Sequence, residues 1–211
     1  MTKAISYAHI LACYFIATPQ EIHEGKSWYK RAQVAAEQIA EETGFTPEVI
    51  AGVIAALSPN NRWERNLRDA RNLARVAKLA GVWEDVKVST FNRNKNRAIE
   101  ILLTADNKWT EDDVENSLGG NKVRAFFRCI HNGGATDRVC VDGHAYAIWL
   151  GERIPTTRTP SINDKLYATI ANDYVRATAA INSITEQKLT AAEVQAVTWV
   201  AWRNRFGGVK S

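Results

Sequence analysis

The chain has 211 residues, 45% of them hydrophobic, and carries 27 Lys and Arg against 23 Asp and Glu for a net charge of +4. That is enough apolar material for one globular unit, built as one domain or as two small lobes, and no apolar run approaches the roughly 18 residues of a membrane-spanning helix. Cys13, Cys129 and Cys140 are odd in number and lack CxxC spacing, which argues against a disulfide framework and a four-thiolate metal or iron–sulfur site and fits a reducing cytoplasm.

The N-terminal stretch MTKAISYAHILACYFIATPQ is apolar but broken by His9 and Tyr14. It has no small-residue cleavage site, so it reads as a first helix over 4–17 rather than a signal peptide. Helical periodicity predicts further runs at 27–43, 47–57, 62–80, 93–104, 111–118, 122–131, 142–151, 163–182 and 191–205. Thr46-Pro47-Glu48 reads as an N-cap followed by a first-turn proline, Thr110 with Asp113 and Thr190 with Glu193 read as capping boxes, and Gly44, Gly81, Gly151 and Gly207 stand where helices should stop. At about 100° per residue, Trp63, Leu67, Ala70, Leu73, Ala74 and Ala77 share one face of the 62–80 helix, while Arg65, Arg68, Arg71, Arg75 and Lys78 spread over the other. Between Asn60 and Ile99 ten basic residues stand against four acidic ones, an excess that suits either a polyanion partner or a solvated helix face. Strand-like runs are confined to VKVSTF (86–91) and RVCVD (138–142), and ERIPTTRTPSIN (152–163) reads as a loop joining two helical portions. Numerous short helices with brief connections predict an all-α globule.

Two stretches carry candidate chemistry. In SLGGNKVRAFFRCI (117–130), Gly119, Gly120, Asn121 and Lys122 separate two helical runs. Glycines let backbone approach a ligand closely, and amides at the next helix start make an anion site that Lys122 and Arg124 would strengthen. The plainer alternative is a helix–helix turn with a basic start. In VCVDGHAYAIWLG (139–151), Asp142 stands where an apolar run becomes a helix. It is either a simple N-cap or a catalytic carboxylate, and the helix dipole favours the ionised form in both cases.

Taken in order, these stretches resemble the helix-hairpin-helix DNA glycosylases, the group that includes endonuclease III and the adenine and alkylpurine glycosylases. SLGGNKVRAFF stands for the family's Gly-rich hairpin, and VDGHAYAI for its V-D-T-H-V motif, with Asp142 and His144 matching the Asp and His. AALSPNNRWERNLRDA (55–70) resembles the early LSxQ segment, and TFNRNKNRAIEIL (90–102) the helix that follows it, so the resemblance covers roughly residues 46–151. The hairpin lacks the family's Pro and is shortened, the interval from Lys122 to Asp142 is longer, and Gly143 replaces the usual Thr.

The resemblance implies a two-lobed all-α fold with a DNA and base cleft between the lobes. One lobe spans about 46–135 with the hairpin, and the other 1–45 plus 136–211. It implies a monomer acting on double-stranded DNA, with at most a monovalent cation at the hairpin; the missing cluster cysteines exclude the iron–sulfur subgroup, and the lack of a long apolar run argues against a membrane partner. Asp142 would stabilise the cationic sugar and activate water, as in glycoside hydrolysis. Lys122 would act as Schiff-base nucleophile or phosphate contact. Asn60, Asn61 and Arg62 are candidates for the wedge that fills the gap of a flipped base, with Gly119, Gly120, Asn121, Arg124 and His144 contacting DNA and Trp28, Tyr29 or Trp63 stacking on the base. Tyr146 and Trp149 follow helical spacing and read as packing. Alkylated purines, oxidised pyrimidines, mismatched bases and phage-type modified bases are all open substrates, and the unusual hairpin and termini suggest a phage-associated or antiviral enzyme. The rivals are a non-catalytic helical DNA-binding protein, a metal-dependent nuclease or hydrolase using Asp142 and His144, and a Cys140 nucleophile with His144.

Overall fold

The computed structural model describes residues 7–79, 81–83, 85–105 and 109–206; the start of the expected 4–17 helix, Ala80 and Gly207 lie outside them. The protein is all-α. Among the described residues there are ten α-helices, a single 3-10 turn at Thr156–Arg158 and no strand. The helices are α1 (Ala8–Phe15), α2 (Pro19–Thr43), α3 (Pro47–Leu57), α4 (Trp63–Lys78), α5 (Asn92–Thr104), α6 (Glu111–Ser117), α7 (Asn121–His131), α8 (Gly143–Leu150), α9 (Asp164–Thr185) and α10 (Ala191–Phe206).

The helix starts follow local chemistry. Thr46 Oγ1 caps α3 ahead of Pro47, Thr110 and Asp113 form a reciprocal capping box on α6, and Thr190 and Glu193 exchange bonds of 2.9 and 3.2 Å at the start of α10. α2 begins at Pro19, well before the expected residue 27, because Thr18 and Glu21 form another box: the Thr18 N–H donates to Glu21 at 2.8 Å and the Glu21 N–H to Thr18 Oγ1 at 3.2 Å. Burial opposes ionisation of Glu21, but its bonds from Thr18 and Asn204 and the Arg205 charge outweigh that and hold the carboxyl below its ordinary value.

Neither strand-like run pairs with another strand. Along 138–142 the Tyr167 hydroxyl of α9 donates to the Val139 carbonyl at 2.7 Å and accepts from the Val141 N–H at 3.3 Å, so a side chain takes the place of a ladder. Within 86–91 the Ser89 N–H donates to Asp69 of α4 at 2.7 Å.

The chain divides into two compact units, one of residues 1–29 and 134–211 and one of residues 30–133. In the inserted unit, every residue of α3 from Val49 to Leu57 is buried, and α4, α5, α6 and α7 pack around it. A helix apolar on all sides must be the core of its domain. Gly52 admits α6, since a Cβ there would lie 2.4 Å from Val114 Cγ1. In the other unit, α1, α8, α9 and α10 enclose Ile10, Tyr14, Val141, Ile148, Tyr174 and Val197. All three cysteines are buried and unbridged, and burial pushes the Cys13 thiol up to about 12. No helix among the described residues is long and apolar enough to cross a membrane.

Helix α4 departs from its expected faces. Asn66 and Asp69 join Ala70, Leu73 and Ala74 in the buried stripe. On the basic side Arg65 and Arg68 are exposed, whereas Arg71 and Arg75 share Glu42 of α2 at 2.9 and 3.0 Å. Part of the positive excess is therefore used within the protein.

Candidate nucleic-acid interface and carboxylate site

The Gly-rich hairpin joins α6 to α7 through Leu118, Gly119 and Gly120. Leu118 is buried and roots the turn, while both glycines are exposed. Gly120 is the N-cap of α7 with φ 76° and ψ 148°, a conformation open almost only to glycine. A Cβ added at either glycine would meet nothing within 4 Å, so the bare backbone faces open space. Gly120 has no side chain with which to cap α7, and the first turn of the helix carries no acidic residue. Its amides and dipole thus present partial positive charge beside half-buried Lys122 and exposed Asn121. Arg124 braces the hairpin by donating to the Leu118 carbonyl at 2.9 Å. One turn further, Arg128 binds Glu111 (2.8 Å), Glu115 (2.5 Å) and Asp112 of α6, fixing the two helices to each other.

The Ser58–Arg62 turn between α3 and α4 separates its two asparagines. Asn60 is exposed with φ 56°. Asn61 turns inward, its amide donating to Asp69 Oδ2 at 3.2 Å and to the Leu57 carbonyl at 3.4 Å. Arg62, the N-cap of α4, is exposed. Of the three wedge candidates, Asn60 and Arg62 point to solvent and Asn61 is bound into the turn. Trp63 is half-exposed at the start of α4.

Asp142 and His144 belong to the other unit. Asp142 caps α8, its Oδ1 accepting from the Ala145 N–H at 2.8 Å, and is half-buried. Among the described residues nothing hydrogen-bonds its second carboxylate oxygen. The His144 ring lies edge-on to Trp199 at 6.3 Å, Trp199 lies edge-on to Trp28 at 6.1 Å, and the Arg203 guanidinium sits 4.3 Å over Trp199. These three rings are half-exposed and form an aromatic wall that begins at His144, two residues after Asp142. Tyr29 is buried, with its hydroxyl donating to Gln195 at 2.8 Å. Tyr146 packs on the core and Trp149 donates its indole N–H to buried Asp173 at 2.9 Å. Cys140 is 7% exposed. Among the described residues no three His, Cys, Asp or Glu side chains converge as a metal-binding group.

Sequence reading passed over Trp199 and Arg203. Their i,i+4 spacing on α10 places them on one helix face and was the available signal. It also passed over Asp69 as a structural group, because between Arg68 and Arg71 it reads as one more charge on a solvated helix face.

Fold and site thus define an all-helical protein with a glycine hairpin between two helices, a helix-capping carboxylate and a row of half-exposed aromatic rings. Residues 1–206 match the family of unknown function DUF7178, and the chain belongs to that family. No curated protein and no solved structure matches it significantly.

Proposed function

We propose that the protein is a DNA glycosylase of the helix-hairpin-helix type that hydrolyses the bond between deoxyribose and an extruded base. The observation that carries this reading is Asp142: a carboxylate fixed by one oxygen at a helix start, with its other oxygen available, two residues before His144, whose ring leads on to Trp199 and Trp28. In the reaction the C1′–N bond breaks with its electron pair leaving on the base. Asp142 stabilises the resulting sugar cation and takes a proton from the water whose oxygen bonds to C1′. The aromatic wall offers the extruded base a stacking surface. The open Gly119–Gly120 backbone, the α7 amides and Lys122 offer a phosphate site, and Asn60 and Arg62 offer side chains to the vacated stack. A phage-type modified base in antiviral defence or phage DNA metabolism is one substrate class within this reading.

Asp142→Asn separates capping from catalysis. Asparagine caps helices about as well as aspartate, so stability should change by no more than about 0.5 kcal/mol. Base release from a panel of modified duplexes, scored by alkali-induced nicking, should fall by about 100-fold or more. Full base release by the variant would remove the mechanism. Nicking without alkali, together with borohydride trapping lost in Lys122→Ala, would add a lyase step at Lys122.

The second reading is a non-catalytic helical DNA-binding protein, favoured by the complete structural role that the cap bond already gives Asp142. It predicts salt-sensitive duplex binding and no base release from any member of the panel.

A further inference from the structure

Asn60 lies between two anchored neighbours. Before it, the Pro59 carbonyl accepts from Thr90 Oγ1 at 2.6 Å, and that hydroxyl is itself oriented by Asn94 Nδ2 at 2.8 Å. After it, the Asn61 amide is held by Asp69 Oδ2 at 3.2 Å, and the same carboxylate oxygen accepts the Ser89 N–H at 2.7 Å. Asp69 is 3% exposed. The bonds close a ring: Ser89 and Thr90 are consecutive, Pro59 and Asn61 flank Asn60, and Asp69 and Thr90 bridge the two short segments on both sides. Within the ring Asn60 alone is displayed, in a left-handed backbone conformation that asparagine tolerates better than most residues.

A loop whose side chain must enter a gap in a base stack loses affinity if it has to be ordered on binding, and a loop already held in its bound form does not. We propose that Thr90 and Asp69 are positioning residues for Asn60, fixing the Ser58–Arg62 turn so that Asn60 enters the space left by a displaced nucleobase without further ordering. Neither residue touches DNA in this role. The proposal rests on the base-extrusion reading above and adds to it the device that pre-organises the inserted side chain.

The test uses the full chain and two duplexes of one sequence, one intact and one carrying a single tetrahydrofuran abasic site, which offers the gap without any base to excise. The wild-type protein is expected to bind the abasic duplex about tenfold more tightly than the intact one. Thr90→Val keeps the side-chain volume and removes the hydroxyl. It should cut that preference by about fivefold while leaving intact-duplex affinity, set by phosphate contacts, unchanged. Thr90→Ser should restore the preference, which a purely structural role of the threonine methyl would not allow. Asn60→Ala should abolish it. If Thr90→Val loses its cooperative melt, Asn94→Ala carries the same test, because it removes the donor that orients the hydroxyl; a loss of about twofold supports the proposal. An unchanged preference in the folded Thr90 or Asn94 variant, with Asn60→Ala still losing it, overturns the positioning role and leaves the glycosylase reading standing. Equal binding of both duplexes by the wild-type protein overturns base extrusion, and the positioning role with it.

Discussion

Two of the turns between consecutive helices of the inserted unit have opposite chemistry. At Leu118–Gly120 the turn has no side chain to show: two glycines expose bare backbone, and rigidity comes from outside, through Arg124 on the Leu118 carbonyl and Arg128 on three carboxylates of α6. At Ser58–Arg62 there is no glycine, the positive φ falls on Asn60, and rigidity comes from a buried carboxylate and a threonine hydroxyl inside the fold. The difference teaches what each turn can offer a partner. A turn that offers amides must keep Cβ atoms away from them. A turn that offers one side chain must fix the backbone on both sides of it.

Asp69→Ala should give the largest effect. It takes from the half-buried Asn61 amide and Ser89 N–H the carboxylate they share, leaving the amide only the Leu57 carbonyl, and urea denaturation should show a loss of about 3 kcal/mol. Gly120→Ala forces a Cβ into a backbone conformation that disfavours it, for a loss of about 1–3 kcal/mol, and should also weaken duplex binding. Gly119→Ala should leave stability within about 0.5 kcal/mol, since its Cβ meets nothing, yet still weaken duplex binding by screening the amides. If both glycine variants bound duplex DNA like the wild type, the hairpin would be a connector only, and the contrast between the two turns would lose its functional content.

Much of this contrast lies below what a single sequence can express. Helix positions were legible because apolar periodicity and caps such as Thr46-Pro47 and Thr110-Asp113 act locally. The early start of α2 was missed although Thr18-Pro19-Glu21 spells the same kind of cap, because the polar, glycine-containing stretch after it carries little apolar period. The glycine hairpin was legible as a turn, since glycine at the start of a basic helix has a direct physical meaning. Asn60 and Asn61 could not be told apart. Adjacent identical residues face opposite ways only because one partner, Asp69, is buried, and burial of Asn66 and Asp69 on α4 is invisible to an apolar-stripe count. The aromatic wall of Trp28, His144 and Trp199 joins three segments far apart in the chain, which periodicity within any one of them does not report.

The smallest effect expected is a pH effect on the hairpin side. Helix α6, which leads into the hairpin, begins with a box in which the Thr110 hydroxyl and N–H both donate to Asp113, at 2.7 and 2.8 Å. These bonds hold the Asp113 carboxyl below its ordinary value of 3.8. A folded-state value lowered in this way means the folded protein favours the carboxylate. The stabilisation is therefore complete above 3.8 and disappears as pH falls through the lowered value. Acid should release the first turn of α6 while Arg128, whose bonds to Glu115, Asp112 and Glu111 raise its pKa against the lowering effect of burial, stays charged. Following the Asp113 carboxyl and the Thr110–Ser117 amides by NMR across this range tests the point. Thr110→Val removes the hydroxyl donor and should move the Asp113 midpoint up towards 3.8, with the amide shifts of α6 following it. An unmoved midpoint would mean that the box does not hold the carboxylate in solution. The hairpin would then depend on the Arg128 cluster and Arg124 alone, and the two turns would differ less in how they are held than in what they display.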